Sequence, residues 1–198
     1  MVFGAGSMQI EIIYTLTSSL IKTKCIGYMN NVVIITGPGF EDSEVIFPYF
    51  RLQEEGYSVD VVTSNDLPVT GKHGYPQEPT IKISELGKKK YDLVVIPGGN
   101  EAPDRVRQVK EILDFVKQMY KKGKVISSIC HGPWVLISAG IIKGKNATCY
   151  KGMKDDLINA GAFYREVPYV IDGNIITSDH PRNLGVWMKT TISLLRKK

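Results

Sequence analysis

From residue 31 onward, short continuous apolar runs alternate with longer amphipathic ones. Val32–Thr36, Ser58–Thr63, Tyr91–Ile96 and Lys124–Ile129 are short β-branched and apolar runs, the pattern of strands buried on both faces. Between them, Glu44–Glu55 and Asp104–Tyr120 carry apolar residues at helical spacing, the second through Val106, Val109, Ile112, Leu113 and Val116. Residues 64–80 hold Asn65, Pro68, Gly71, Gly74, Pro76 and Pro79, the composition of an excursion loop. Beyond the fourth run, Trp134–Gly140 reads as a helix closed by glycine. Ala147–Tyr150 reads as a strand, Lys154–Ala160 as a helix, Tyr169–Thr177 as a hairpin around Asp172-Gly173-Asn174, and Arg182–Leu195 as a closing helix. Strands and helices in this alternation predict an α/β fold with a mostly parallel sheet covered on both faces. In such sheets a site forms beyond the carboxyl ends of the strands. The Gly37–Glu44 loop, the Pro97–Gly99 turn and Cys130-His131 all follow strands and are expected on one rim.

Residues 1–30 differ in style. The apolar run Ile10–Ile21 is interrupted by Glu11 and by Ser and Thr, and is shorter than the about 20 residues a spanning helix needs. Its lysines, Lys22 and Lys24, follow the run, whereas a signal peptide carries its basic residues first. Met29 immediately precedes the first strand. Residues 1–30 therefore read as an extension outside the domain at 31–198, with an internal start near Met29. A targeting or partner-binding segment is the alternative, and the intact mass of the native protein decides between them.

Composition narrows the class. The 198 residues are 43% hydrophobic and 23% charged, which fits one ordinary globular domain and excludes disorder or a disulfide-stapled miniprotein. The net charge of +5 comes from runs such as Lys88-Lys89-Lys90 and Arg196-Lys197-Lys198, in loops and at a terminus, with no aromatic residue interleaved. That reads as solvated surface, and neither a nucleic-acid nor a membrane partner is expected. Three cysteines (Cys25, Cys130, Cys149) form no Cys-x-x-Cys pair and fit a reducing, cytoplasmic compartment. No His-Glu-x-x-His or Gly-x-Gly-x-x-Gly pattern is present, so no metal, dinucleotide or other cofactor is expected.

Ser128-Ile129-Cys130-His131-Gly132 places a nucleophile between a strand and a helix, with glycine two residues later. This is the plan of a nucleophile elbow, with Ser128 where the first glycine usually stands. A thiol at a helix amino terminus is expected to titrate below the free value of about 8.5. Cys149, in a strand-like run without a neighbouring histidine, reads as structural. Pro97-Gly98-Gly99 ends the adjacent strand, and its N–H groups with that of His131 suit an oxyanion. Among the histidines, His131 is the first candidate partner of Cys130, although adjacent side chains on a regular helix point apart. His180 and His73 remain open. Phe40-Glu41-Asp42-Ser43-Glu44 clusters carboxylates at a helix start, where anions are favoured anyway. Glu44, aimed at the same rim, is expected to hold a proton beside the sulfur, with Glu41 second.

Taken in order, Gly39-Phe40-Glu41-Asp42-Ser43-Glu44, Gly56-Tyr57-Ser58-Val59, Thr70-Gly71-Lys72-His73-Gly74-Tyr75, Pro97-Gly98-Gly99, Ala102-Pro103-Asp104-Arg105-Val106-Arg107, Ser128-Ile129-Cys130-His131-Gly132-Pro133 and Lys154-Asp155-Asp156 resemble the PfpI-like intracellular proteases. That family belongs to the superfamily of the Parkinson-associated deglycase and the class I glutamine amidotransferases. The resemblance covers about residues 31–196. It implies a flavodoxin-like α/β/α sandwich, a Cys130–His131 pair, an oxyanion hole from the Gly99 and His131 amides, and Glu44 near the sulfur. It also implies a homodimer or hexamer in which a neighbouring subunit completes the triad. Asp104 stands at that family position, one methylene shorter than the family's glutamate and after a longer turn, and Glu101 is its substitute. The implied activities are peptidase, deglycase and cofactor-free glyoxalase, acting on peptides or on glycated or carbonyl compounds. A redox-sensing or holdase protein that oxidises Cys130 is the alternative. A glutaminase is disfavoured, because His180-Pro181-Arg182 has arginine where that class needs glutamate.

Overall fold

The structure is a computed structural model that describes residues 31–197. The proposed extension at 1–30, with Cys25, lies outside the described residues.

Among the described residues there are ten strands and six α-helices. β1 (Asn31–Thr36), β2 (Ser58–Thr63), β5 (Leu93–Ile96), β6 (Val125–Ile129), β9 (Tyr169–Asp172) and β10 (Ile175–Ser178) form one sheet in the order β2-β1-β5-β6-β10-β9. All neighbours are parallel except β9 and β10, which form the expected antiparallel hairpin. The chain leaves β1 toward one edge and continues from β5 toward the other, so β1 and β5 flank the point where strand order reverses. Crevices for ligands open at such points, beyond the carboxyl ends of the strands.

Alternate residues of the buried runs serve the two faces. Val33, Ile35, Val94, Ile96 and Ile126 pack under α3 (Lys110–Lys121), α4 (Pro133–Ser138) and α5 (Lys154–Asn159) through Ile112, Val116, Leu136 and Leu157. Val32, Ile34, Leu93, Val95 and Ile176 pack under α1 (Asp42–Glu54) and α6 (Leu184–Leu195) through Leu52, Trp187, Met188 and Ile192. Full burial of each such side chain contributes about 1.5–3 kcal/mol. The result is the three-layer α/β/α sandwich.

Three local expectations are corrected. Asp104–Tyr120 is not one helix but α2 (Ala102–Val106) and α3, separated by a turn in which the Gln108 and Val109 N–H groups bond Arg105 and Val106. Val109 is extended there (φ −93°, ψ 105°). The apolar spacing reads through the break because Val106 is buried in the same core cluster against which Val109 packs. The loop at 64–80 contains a small antiparallel ladder, β3 (Val69–Thr70) with β4 (Pro76–Gln77). Ala147–Tyr150 is a strand only at its start, where β7 (Asn146–Ala147) pairs with β8 (Phe163–Tyr164).

Candidate active site

β1, β5 and β6 lie side by side, so the loops after them meet. Cys130 leaves β6 with φ +58°, a left-handed conformation that costs an L-residue roughly 1–2 kcal/mol. Flanking hydrogen bonds hold it there. Its N–H donates to the Ser178 carbonyl at 2.9 Å, and its carbonyl accepts from the Tyr150 N–H at 2.9 Å. At Gly132 a Cβ would sit 2.3 Å from the Ile96 carbonyl oxygen and 2.4 Å from Ser128 Oγ. The residue after the elbow pair must therefore lack a side chain. Ser128, standing where the elbow pattern has glycine, is accommodated because its hydroxyl donates to that same Ile96 carbonyl at 3.1 Å.

The Cys130 sulfur lies 3.3 Å from His131 Nδ1. The left-handed turn at Cys130 is what lets these sequence neighbours face each other. The His131 ring stacks on Tyr150, with centroids 4.7 Å apart, and is tilted against Trp134 at 5.2 Å. Burial and the nearby Lys72 cation lower the His131 pKa, so the ring is a neutral base at pH 7. His180 and His73 are placed differently. The His180 Nδ1 accepts the Arg182 N–H at 3.2 Å, and its ring lines the cavity wall. Exposed His73 lies 4.0 Å from Glu41 through Nε2.

The carboxylate cluster divides by depth. Glu44 is fully buried, and its Oε2 accepts the Gly98 N–H at 2.6 Å while Oε1 has no hydrogen-bond partner. Burial, and then the charge of Glu41, push its pKa up to about 8, against the lowering effect of the Gly98 N–H. Asp42 accepts the His73 and Tyr75 N–H groups at 2.9 Å each and so fastens the 71–75 loop to α1. That fastening brings Lys72 to an ion pair with Glu41, whose Oε1 also accepts from Ser43 Oγ at 3.0 Å.

The expected acidic thiol is not what the surroundings produce. Burial pushes the Cys130 thiol up, and the negative charge of Glu44 adds to the rise. The opposing influences are the N–H groups of His131 and Gly99 rather than a helix terminus. α4 begins only at Pro133, which has no N–H to offer, and is six residues long. Cys149 behaves as a buried structural thiol, pushed up to about 12 by desolvation.

Gly99 takes φ +103°, and a Cβ there would meet the Gly39 carbonyl oxygen at 2.5 Å. That crowding arises where Phe40 and Gly99 form an isolated bridge joining the loops after β1 and β5. Asp104 lies apart from this centre within the chain. It is exposed on α2 and bonds Gln108 Nε2 through its carbonyl and carboxylate oxygens. Glu101 pairs with Arg105.

A cavity of about 480 Å³ opens over Cys130, His131 and Gly99, walled by Lys72, Glu41, Asn100, Tyr150 and His180. Lys72 and Tyr150 were missed by the sequence reading. Each is delivered by a loop that depends on one distant hydrogen-bond anchor, which no local pattern records.

Fold and site together define an α/β protein with a cysteine on a tight strand-to-helix turn after β6, beside the switch point of a mostly parallel sheet. Comparison with known proteins gives the family. The chain matches the DJ-1/PfpI family over residues 30–194 and belongs to it. It is 42% identical over 165 residues to a deglycase of Pyrococcus abyssi, covering 83% of this chain and 99% of that protein. It is 40% identical over 165 residues to Deglycase PfpI of Pyrococcus furiosus, with the same coverage of 83% and 99%. Among solved structures, Drosophila melanogaster DJ-1beta superposes with a TM-score of 0.80 at 28% identity, covering 85% of this chain and 91% of that one.

Proposed function

We propose that the protein is a cysteine-dependent hydrolase of the PfpI type, acting on carbonyl adducts of amines and on peptide amides through Cys130. The observation that carries this reading is the convergence on one sulfur of the His131 imidazole at 3.3 Å, the buried Glu44 carboxyl, and the N–H groups of Gly99 and His131. The relatives named deglycases favour glycated amines as the first substrates to try.

Because Glu44 Oε2 is occupied by the Gly98 N–H, the proton that Glu44 retains sits on Oε1. A neutral Glu44 does not repel negative charge on the sulfur, and the Cys130 S–H proton passes to neutral His131 Nδ1 at 3.3 Å, leaving a thiolate beside an imidazolium. The thiolate adds to the substrate carbonyl carbon, and the carbonyl electron pair moves to oxygen, where the Gly99 and His131 N–H groups receive it. Collapse of the adduct expels the amine, which takes its proton from the imidazolium of His131. Neutral His131 then removes a proton from the water that releases the second product. In an assembled form, a neighbouring copy presents Asp104 to orient His131, with Glu101 as its substitute. That makes activity depend on a homodimer or hexamer.

The test is side-by-side kinetics on a peptide amide, methylglyoxal and a glycated amino acid. Cys130→Ser is expected to abolish turnover, and unchanged activity on every substrate would overturn the reading. A second reading, oxidation of Cys130 as a stress signal, is favoured by the same unpartnered Glu44 Oε1, which suits a sulfinate oxygen. Peroxide treatment followed by peptide mass mapping tests it, and selective oxidation of Cys149 in place of Cys130 would refute it.

A further inference from the structure

Next to the cavity over Cys130 lies a second one of about 440 Å³. The two share Tyr150 and His180 in their walls, so they are neighbouring chambers of one surface depression. Each volume alone falls at the lower end of the roughly 300–1,000 Å³ typical of ligand pockets, and a small dicarbonyl needs only the first. The far chamber is lined by the apolar Tyr164, Val167 and Pro168 and by the charged Lys151, Glu166, Asp179 and Arg182. Arg182 is held in place by Asp179 at 3.1 Å. Thr148 also lines this chamber, and its buried Oγ1 has no hydrogen-bond partner. Such a group is costly to leave unpaired, by about 1–3 kcal/mol. The Thr148 N–H, by contrast, is satisfied by Thr177 Oγ1 at 2.9 Å.

We infer that this second chamber is a subsite for the amino-acid residue flanking the reacting group, so that the protein takes peptide-borne adducts in preference to free small carbonyls. The inference rests on the proposed hydrolase activity. With the reacting carbon at Cys130, the peptide chain passes over the Tyr150–His180 pair, whose ring centroids lie 6.5 Å apart. Its flanking side chain rests on Tyr164, Val167 and Pro168. A backbone carbonyl accepts from Thr148 Oγ1, and Arg182 faces the acceptor groups of the chain beyond.

The test uses the full chain and the ratio of kcat/KM for a methylglyoxal-glycated pentapeptide to that for free methylglyoxal. Val167→Trp fills the chamber from its half-exposed rim and is expected to lower this ratio about tenfold, through KM rather than kcat. Thr148→Val keeps the shape and removes the hydroxyl, and is expected to lower the ratio by a smaller factor in the same direction. A ratio within about twofold of wild type in both variants would overturn the subsite, as would equal losses on both substrates. If the wild-type protein turns over neither substrate, the hydrolase reading falls by itself. The subsite is then judged by titrating the glycated pentapeptide into Cys130→Ser. Binding that Val167→Trp weakens supports it, and absent or unaltered binding refutes it.

Discussion

The amide of Gly98 donates to Glu44 Oε2 at 2.6 Å, joining the turn after β5 to the first turn of α1 beneath the Cys130 sulfur. A Cβ on Gly98 would lie 2.7 Å from the His131 nitrogen, 2.8 Å from Cys130 Cβ and 2.8 Å from Glu44 Oε2. The absence of a side chain there is what allows carboxyl, thiol and elbow amide to share one small volume. The same bond gives the two Glu44 oxygens different surroundings, Oε2 accepting from the backbone while Oε1 has no hydrogen-bond partner.

Glutamine at position 44 keeps both a carbonyl that accepts from Gly98 and a second, donating group, as the protonated carboxyl does. Leucine can preserve neither and strands the Gly98 N–H. Glu44→Leu is therefore expected to lose about 1–3 kcal/mol more stability than Glu44→Gln, and to react more slowly with iodoacetamide at pH 7. Urea unfolding and alkylation followed by mass spectrometry check the two halves.

The raised pKa of Glu44 has a definite sign in the stability curve. The folded chain holds this proton to about pH 8, whereas the unfolded chain releases it near 4.5. Its contribution is fully present below about pH 4.5 and is lost as pH rises to about 8, by on the order of a few kcal/mol. His131, with a lowered pKa, acts oppositely below its ordinary value of 6.5. Asp42 and Asp172, with lowered pKa values, contribute fully above the ordinary value of 3.8 and lose that contribution only as pH falls below it toward their folded-state values. Subtracting the Glu44→Gln stability curve from the wild-type curve between pH 4.5 and 8.5 isolates Glu44. A flat difference would contradict the assignment.

Backbone strain at the elbow can be read directly by substitution. At φ +58°, glycine relieves what alanine cannot. Cys130→Gly is expected to be more stable than Cys130→Ala by about 1 kcal/mol, although both are inactive. Gly132→Ala acts in the opposite direction by forcing a methyl onto the Ile96 carbonyl, at a cost of about 1–3 kcal/mol. Denaturant midpoints at constant m-value measure all three.

Lys72 lowers the pKa of both His131 and Glu44 through its charge. Lys72→Met is expected to raise both and to shift the pH dependence of turnover toward higher pH. Proton NMR titration of the His131 ring provides the check, and an unmoved midpoint would show that Lys72 serves Glu41 alone.

The layered sheet was legible because β1, β2, β5 and β6 are largely buried on both faces and so carry mostly β-branched and apolar residues, with Asp60, Ser127 and Ser128 among the buried exceptions. Cys130, His131, Glu44 and Gly99 were legible because each follows a strand whose end faces one rim. The break between α2 and α3 was not, because Val106 and Val109 meet the same core from two helices as they would from one. The contribution of Lys72 hangs on Asp42 gripping the 71–75 loop, and that of Tyr150 on the Cys130 carbonyl. Depth was the other blind spot. A sequence shows that a thiol follows a strand, but the desolvation that raises its pKa depends on everything packed above it.

Asp104 gives the sharpest test of assembly. Within one chain it is exposed, bonds only Gln108 through its side chain, and has no contact with His131. If its partner is on a neighbouring copy, Asp104→Asn should leave unfolding within about 0.5 kcal/mol of wild type, as for an ordinary surface change. Turnover should nevertheless fall by about tenfold or more. Mixed oligomers provide the discriminating measurement. Cys130→Ser subunits retain Asp104 and Asp104→Asn subunits retain Cys130, so co-refolding the inactive variant with the weakened one should regenerate sites that are whole across the interface. Light scattering fixes the oligomeric state of the mixture. Activity rising above the mean of the separate variants places the acid on a neighbouring copy. Strict averaging, or a monomer that is fully active, removes Asp104 from the chemistry.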